Sequence, residues 1–184
     1  MGETRESFAA LDQGSIKDGT KDSTKNDTDI FFLHGLDSSG QGTKGRFLAE
    51  HFPHIHCPDF DGPLADRLQR LMALCRDKGK LILIGSSFGG LMATRFAIDQ
   101  PGRVVRLILL APALNFADFQ PPPSKLAVSC LVVIGKDDSL TPAERVLPLA
   151  RHTFANLEVR LVDDDHLLHR TFPSLPWHEL LRPC

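Results

Sequence analysis

The sequence lacks the features that would place the protein in a membrane, on nucleic acid or outside the cell. No uninterrupted apolar stretch approaches the ~18 residues that a membrane-spanning helix needs. Lys and Arg number 21 against 23 Asp and Glu, so a formal net charge of -2 gives no strong attraction to nucleic acid or anionic membranes. The first ten residues, MGETRESFAA, lack the basic start and apolar core of a secretory signal. We therefore expect a cytoplasmic protein with no membrane or nucleic-acid partner.

Cysteine is also scarce, and its spacing excludes the common structural sites. The four cysteines form no C-x-x-C pair and fall in different predicted elements, which argues against zinc or a disulfide scaffold. His54 and His56 have the i, i+2 spacing of a metal pair on a strand, with Asp59 and Asp61 downstream. Exposed histidines are common on edge strands, so we interpret these as surface residues and expect no bound metal.

The chain divides into a polar tail and one domain. Residues 1–28 are short of apolar residues, which predicts a disordered tail, with Ser7–Leu11 as a weaker candidate for an edge strand. Residues 29–184 alternate short apolar runs with amphipathic segments. The predicted strands are Ile30–Leu33, His54–Cys57, Leu81–Gly85, Val104–Leu110, Cys130–Ile134 and Leu157–Val162. Consecutive apolar positions suit parallel strands covered on both faces, which predicts an α/β domain with a mostly parallel sheet of about six strands.

Helical segments lie between these strands. We predict helices beginning near Thr43, over Leu64–Cys75, over Phe88–Asp99, from Thr141 to about Arg151, and after Ser174. Thr141-Pro142-Ala143-Glu144 has the pattern of a capping box with proline at the first helical position. The proline-rich residues 111–129 are predicted to be irregular, and they are too few to form a large lid domain.

One glycine-rich stretch raises the possibility of a dinucleotide site. Gly40, Gly42 and Gly45 form a literal G-x-G-x-x-G after the first predicted strand. In a dinucleotide-binding fold the first glycine sits at the strand end, whereas Gly40 comes seven residues after Leu33. We therefore interpret the glycines as letting the loop bend before the next helix, and we expect no cofactor. A dinucleotide-dependent oxidoreductase stays a rival hypothesis.

A second motif points to nucleophilic catalysis. Gly85-Ser86-Ser87-Phe88-Gly89 is a G-x-S-x-G between an apolar strand and a helical segment, the context of a nucleophile elbow. A serine hydroxyl needs a base, and that base needs an acid to fix its tautomer. Asp137-Asp138 follows the strand that ends at Ile134, and Asp163-Asp164-Asp165-His166 follows the last strand. Both turns leave the carboxyl edge of a parallel sheet, where such sheets place their sites.

These motifs resemble the α/β-hydrolase superfamily. The order of G-S-S-F-G, G-x-x-D-x-x-x-P and a final D-H carries the resemblance, together with His34-Gly35 after the first strand. The H-G-x-x-S-S start and the G-S-S-x-G-G elbow are most similar to the small YqiA-type esterases, which have no large cap. The resemblance runs from Asp29 to Phe172 and implies a three-layer α/β-hydrolase fold.

The resemblance also implies roles for individual residues. Ser87 corresponds to the nucleophile, and Asp138 to the acid, with Asp137 as a rival. His166 corresponds to the base, with His169 as the alternative.

Backbone donors and a substrate wall complete the expected site. The N–H groups of Leu36 and Phe88 are the candidates for stabilising a tetrahedral oxyanion. The candidates for lining the substrate site are His34, Gly35, Phe116 and Phe119, with Phe88 beside them.

The expected function is that of a serine esterase acting on a small-molecule acyl ester through an acyl-enzyme. An acyl thioesterase using the same site is the alternative within this chemistry. A catalytically inactive hydrolase-fold binding module is the alternative of another class. The sequence does not indicate the oligomeric state.

Overall fold

The computed structural model describes Met1, residues 28–116 and residues 119–182. The predicted tail over residues 1–28, with its candidate strand Ser7–Leu11, therefore lies outside the described residues apart from its two ends. No helix in the described part of the chain is long and apolar enough to cross a membrane.

Strands and helices alternate as the apolar pattern predicts. The strands are β1 (Thr28–Leu33), β2 (Ile55–His56), β3 (Lys80–Ser86), β4 (Val104–Leu110), β5 (Leu126–Gly135) and β6 (Phe154–Val162). The helices are α1 (Thr43–His51), α2 (Leu64–Leu74), α3 (Phe88–Asp99), α4 (Ala143–Thr153), α5 (Thr171–Ser174) and α6 (Trp177–Leu180).

The six strands form one parallel sheet in the order β2-β1-β3-β4-β5-β6. The prediction of a mostly parallel sheet of about six strands, flanked by helices and without a large lid, is confirmed. The chain leaves β1 toward the edge strand β2 and then returns to the other side of β1 to form β3. This reversal makes the carboxyl ends of β1 and β3 a topological switch point, the usual position of a site in an open α/β sheet.

The core lies in two layers, one on each face of the sheet. Alternate residues of β3 show why its sequence is continuously apolar: Leu81 and Leu83 join one cluster, and Ile82 and Ile84 join the other. Helices α2, α3 and α4 cover the first cluster, while α1, α5 and α6 cover the second. A strand that is buried on both faces has apolar residues at consecutive positions and does not alternate between apolar and polar residues, in agreement with the predicted three-layer fold.

Two strands begin earlier than their apolar patterns predict. β5 starts at Leu126 instead of Cys130, and β6 starts at Phe154 instead of Leu157. Leu126 pairs with Phe154, and the register shifts before Ser129 resumes the ladder. The added residues are mostly half-buried or exposed, so they lack the apolar run by which a buried strand is recognised.

The glycines after β1 serve close packing of backbone on backbone. The Gly40 N–H donates to the Asp59 carboxylate (2.6 Å), so this amide already has an anionic partner within the protein. A Cβ on Gly45 would overlap the Gly40 carbonyl, and a Cβ on Gly40 would overlap the Cys57 carbonyl. The glycines of the G-x-G-x-x-G stretch thus allow α1 to pack closely against the segment that follows β2.

We expect Gly45→Ala to lower the free energy of unfolding by about 2 kcal/mol, because its methyl group would be driven into a backbone carbonyl that cannot move aside. Alanine within a helix normally stabilises by about 1 kcal/mol relative to glycine, so the sign separates the two effects. Urea unfolding measures it. Gln41→Ala, an exposed change in the same loop, is the control and should stay near wild type. A Gly45→Ala protein more stable than wild type would contradict the packing interpretation.

Candidate active site

Ser87 occupies a strained turn between β3 and α3. Its backbone has φ 54° and ψ -117°, a region that side-chain-bearing residues rarely adopt. The turn holds the serine out of both elements, and its carbonyl accepts from the Gly90 N–H at 2.9 Å. A Cβ on Gly89 would overlap the Leu33 carbonyl, so α3 can begin this close to β1 only with glycine there. These are the features of a nucleophile elbow.

His166 joins Ser87 to Asp138 by two short hydrogen bonds. Its Nε2 lies 3.0 Å from the Ser87 Oγ, and its Nδ1 lies 2.9 Å from the Asp138 Oδ2. A carboxylate can only accept, so Nδ1 carries the proton and donates to Asp138. Nε2 is then unprotonated and faces the serine hydroxyl. Three residues from the ends of β3, β5 and β6 therefore form one hydrogen-bonded chain.

The Asp138 carboxylate is buried and surrounded by donors. The Thr141 hydroxyl donates to Oδ2 at 2.6 Å, while the backbone N–H groups of Leu140 and Thr141 donate to Oδ1 at 2.9 and 2.8 Å. Burial raises the pKa of Asp138, but the hydrogen bonds from Thr141 and His166 outweigh that effect and hold the pKa below its usual value. The carboxylate therefore stays charged beside the imidazole.

Thr141 does not act as the helix cap that its sequence pattern predicts. Helix α4 begins at Ala143 with Pro142 as its N-cap, and no side chain caps it. The Thr141 hydroxyl donates to Asp138 and lies 3.2 Å from the Ala111 carbonyl. The capping-box prediction is wrong because the Thr141 hydroxyl is turned toward the buried Asp138 carboxylate and accepts from no backbone N–H group at the start of α4.

The rival residues lie outside the hydrogen-bonded chain. Asp137 is exposed, and its backbone N–H bonds to the Asp164 carbonyl. His169 is exposed at the rim of the site, with its Nδ1 3.9 Å from the Asp165 carboxylate. His169 precedes α5 and is not part of that helix. The structure thus brings Asp138 and His166 to Ser87.

Asp164, which the sequence indicates only as part of an acidic turn, organises the loop that carries His166. Its side chain is 2% exposed. One carboxylate oxygen accepts from the Asp165 N–H, and the other accepts from the N–H groups of Arg170 and Thr171 at 3.1 and 2.8 Å. Burial raises the pKa of Asp164, but the bonds from Thr171, Asp165 and Arg170 outweigh it and lower the pKa. Asp164 therefore closes the loop on both sides of His166.

The loop after β1 lies directly against Ser87. A Cβ on Gly35 would lie 3.4 Å from the Ser87 Cβ, which is contact distance. His34 is buried beneath this loop: its Nε2 accepts from the Phe60 N–H (2.9 Å), and its Nδ1 donates to the Gly35 carbonyl (2.7 Å). Both nitrogens of its ring are used within the protein. His34 therefore shapes the loop from below.

The residues of the two predicted oxyanion donors, Leu36 and Phe88, line the same cavity as Ser87. Phe88 is the first residue of α3, where a backbone N–H has no acceptor within the helix. Leu36 follows Gly35 in the loop after β1, and its side chain is 46% exposed at the mouth of the site.

A cavity of about 650 Å³ opens beside Ser87 and His166. Phe88 and Phe116 form part of its wall, with their rings edge to face at 6.0 Å. His34 and Gly35, two of the candidates for lining the substrate site, also line this cavity. Phe119 is a correction: it does not line the cavity but is 7% exposed and packs in the hydrophobic core beneath it.

Lys44 also lines the cavity, although no sequence motif predicts it as a site residue. Its Nζ donates to the Leu167 carbonyl at 2.6 Å and lies 5.6 Å from the centre of the Phe172 ring. Burial lowers the pKa of Lys44, while the charges of Asp165 and Asp164 act in the opposite direction. Lys44 thereby ties α1 to the loop of His166.

The histidines of the possible metal pair have other partners. His56 lies 3.3 Å from the Asp29 carboxylate and stacks on Phe31, while His54 precedes β2 and packs edge-on against Phe52. In the described ranges, no three His, Cys, Asp or Glu side chains group closely enough to hold a metal ion.

Comparison with known proteins agrees with this geometry. The family model described as serine aminopeptidase, S33, matches residues 27–182. Lipase LipV of Mycobacterium tuberculosis is 26% identical over 156 residues, which cover 76% of this chain and 57% of that protein. This chain thus spans little more than half the length of that curated relative.

Solved structures give the same fold. A Xanthomonas campestris protein described as a hydrolase of the alpha/beta superfamily is 28% identical, with a TM-score of 0.64 over 81% of this chain and 98% of that one. The monoacylglycerol lipase of Paleococcus ferrophilus is 13% identical, with a TM-score of 0.67 over 82% of this chain and 93% of that one. At that identity the second likeness concerns the fold alone.

Thr141→Val should lower the free energy of unfolding by about 1–3 kcal/mol near neutral pH, because a buried carboxylate loses a donor. The depressed pKa of Asp138 means that its charge stabilises the fold above the unfolded pKa of about 3.9, and that this contribution is lost as the pH falls through the folded pKa. Removal of the hydroxyl raises the folded pKa, so the deficit should shrink below about pH 4.

Urea unfolding of the variant and wild type from about pH 7 to about pH 3 measures this deficit. Ser139→Ala, an exposed change in the same loop, should leave stability unchanged at every pH. A deficit of the same size across the whole series would show that Thr141 acts on something other than the charge of Asp138.

Proposed function

The chain belongs to the serine aminopeptidase S33 family of α/β hydrolases, and from that premise we propose that it is a serine hydrolase that cleaves acyl esters with Ser87 as its nucleophile. The observation that carries the proposal is the hydrogen-bonded chain from Ser87 through His166 to Asp138, with distances of 3.0 and 2.9 Å. Ser87 and His166 lie at the wall of a cavity that is large enough for an acyl group.

In the proposed reaction, His166 is the general base. Its Nε2 takes the Ser87 proton as Oγ attacks the ester carbonyl carbon, and the imidazole becomes positively charged. The Asp138 carboxylate, held charged by four donors, stabilises that imidazolium and fixes its tautomer. His166 then gives the proton to the departing alcohol, which leaves the acyl group on Ser87. Water, activated by the same imidazole, releases the acid.

The tetrahedral intermediate carries a negative oxygen that needs preorganised donors. We assign this role to the backbone N–H groups of Phe88 and Leu36. Phe88 begins a 12-residue helix, whose N-terminal dipole favours the same negative charge. A Cβ on Gly35 would come within 3.4 Å of the Ser87 Cβ, so the glycine leaves that space between the loop and the serine open to an oxyanion.

The rim of the cavity supports an apolar acyl group as the substrate. Four of its residues are large apolar side chains that are about half exposed: Leu36 (46%), Phe116 (51%), Leu140 (66%) and Leu167 (49%). Exposed apolar groups gathered around one opening favour an apolar ligand. The rim therefore favours esters of short or medium acyl chains, and a thioester with the same acyl group could react at the same site.

Two further observations weigh on the bond that is cleaved. The family description names a peptidase, whereas LipV is named a lipase. Asp37, the one acidic residue among the described residues that line the cavity, could hold a substrate's ammonium group, but the exposed side chains gathered at the rim are apolar. We therefore place ester hydrolysis ahead of peptide hydrolysis.

Two neighbouring aspartates provide a matched test. Asp138→Asn should lower kcat for a p-nitrophenyl ester by about 10³- to 10⁴-fold, because the amide cannot hold the required tautomer or stabilise the imidazolium. Asp137→Asn, which removes the same charge one residue away, should change kcat by less than about twofold. Ser87→Ala should lose the ester turnover altogether. Equal effects of the two asparagine variants, or full activity of Ser87→Ala, would contradict the proposed roles.

The acyl preference should follow the burial of methylene groups. Each methylene buried in the cavity contributes about 0.8 kcal/mol, so kcat/KM should rise by roughly threefold to fourfold per methylene from acetate toward hexanoate and then level off. A series of p-nitrophenyl esters measures the profile. Phe116→Ala should flatten the rise, since its ring forms part of the wall. A profile that peaks only at palmitate would contradict the assignment of short or medium chains.

A further inference from the structure

A buried cation lies beneath the site and takes no part in the proposed triad. Arg67 is on the inner face of α2 and is only 4% exposed. It interrupts the apolar stripe of that helix, between Leu64 and Leu71, where a leucine or an alanine would be expected. Burying a guanidinium costs free energy unless the protein supplies partners for its charge, so the contacts that Arg67 makes should explain why it is buried.

The partners of Arg67 are backbone carbonyls and an aromatic ring. Its Nε donates to the Gly62 carbonyl at 2.9 Å, and its Nη1 donates to the Gly35 carbonyl at 3.4 Å. The guanidinium carbon lies 5.3 Å from the centre of the Phe88 ring. No carboxylate within the described ranges approaches it to ion-pair distance. Burial lowers the pKa of Arg67 and Asp61 opposes that effect, but a guanidinium stays charged at neutral pH.

The contact with Gly35 acts on a peptide group of the proposed oxyanion hole. The carbonyl of Gly35 and the N–H of Leu36 belong to the same planar peptide unit and point in opposite directions. A donor that holds the carbonyl therefore also sets the direction of the N–H. His34 donates to the same carbonyl at 2.7 Å, so the two lone pairs of that oxygen are held from below.

We propose that Arg67 is a positioning residue for the oxyanion hole, which holds the Gly35–Leu36 peptide through its carbonyl and packs its charged face on Phe88, the residue that supplies the second donor. This inference rests on the proposed function, since an oxyanion forms only if Ser87 attacks a carbonyl. The single side chain contacts the Gly35 carbonyl of one segment and the Phe88 ring of the other, and the N–H groups of these two segments must converge on the oxyanion.

Charge adds to the effect of geometry. A cation at the carbonyl oxygen draws electron density through the amide and makes the N–H at its other end a stronger donor. The interaction is screened little, because Arg67 is buried. Arg67 thus supports the transition state without touching the substrate.

The experiment compares Arg67→Met with Arg70→Met, an exposed arginine one turn along the same helix. Steady-state kinetics on a p-nitrophenyl ester, per active site titrated, should show kcat reduced by about 10- to 100-fold for Arg67→Met with KM changed less than about threefold. Phenylboronic acid forms a tetrahedral adduct with a serine nucleophile, and its Ki should rise by about the same factor as kcat/KM falls. Arg70→Met should match wild type in all three quantities.

If Arg67→Met does not unfold cooperatively, Arg67→Lys decides the question. Lysine keeps the cation and much of the stem, but its single ammonium cannot hold both carbonyls in the fork geometry of a guanidinium. The expected result is again a lower kcat, by about fivefold or more, with KM nearly constant. A wild-type kcat in whichever variant folds, or a boronate Ki that stays unchanged while kcat falls, would overturn the proposal.

Wild type and Ser87→Ala are measured beside these variants, which separates the two ways of failing. Ester turnover that requires Ser87 but is indifferent to Arg67 removes the positioning role and leaves the proposed function standing. A wild-type protein with neither turnover nor boronate binding removes the proposed function, and the positioning role with it.

Discussion

The hydrogen bond between the buried Asp138 carboxylate and His166 is the interaction on which the rest of the site depends. It can form only because β5 and β6 are adjacent and parallel, so that the turns after them meet at one edge of the sheet. The charge of Asp138 survives burial because Thr141 and the neighbouring backbone supply donors. The proton on Nδ1 then leaves Nε2 free to face Ser87. Topology, electrostatics and tautomer are thus parts of one arrangement.

On the other side of Ser87 the proposed site consists of backbone groups, which glycines and buried side chains position. Gly35 leaves open the space in which a Cβ would come within 3.4 Å of the Ser87 Cβ, and Gly89 lets α3 start against the end of β1. His34 and Arg67 hold the Gly35 carbonyl from beneath. Two donors on one carbonyl restrict the direction of its peptide group, which suits the proposed oxyanion hole, whose donors must already point at a charge before it forms.

The sequence predicts much of this arrangement and misses a definable part. Parallel strands, the elbow at Ser87 and the acidic and histidine turns follow from local patterns and strand ends. The roles of Thr141 and Arg67 do not. Thr141 lies only three residues from Asp138, but its sequence pattern also suits a helix cap, and Arg67 reaches a residue 32 positions away. A charged residue on the apolar stripe of α2 is the signal that could have found Arg67. Phe119 was misplaced because an aromatic residue after a turn can face either the cavity or the core.

The central claim is that Ser87 is a nucleophile activated by His166, and covalent trapping tests it most directly. The protein is incubated with a fluorophosphonate, and peptide mass mapping locates the adduct. The account predicts one adduct per chain on the peptide that contains Ser87, with no adduct in Ser87→Ala and much slower labelling in His166→Ala. Labelling that persists in Ser87→Ala, or maps to a peptide without Ser87, would contradict it.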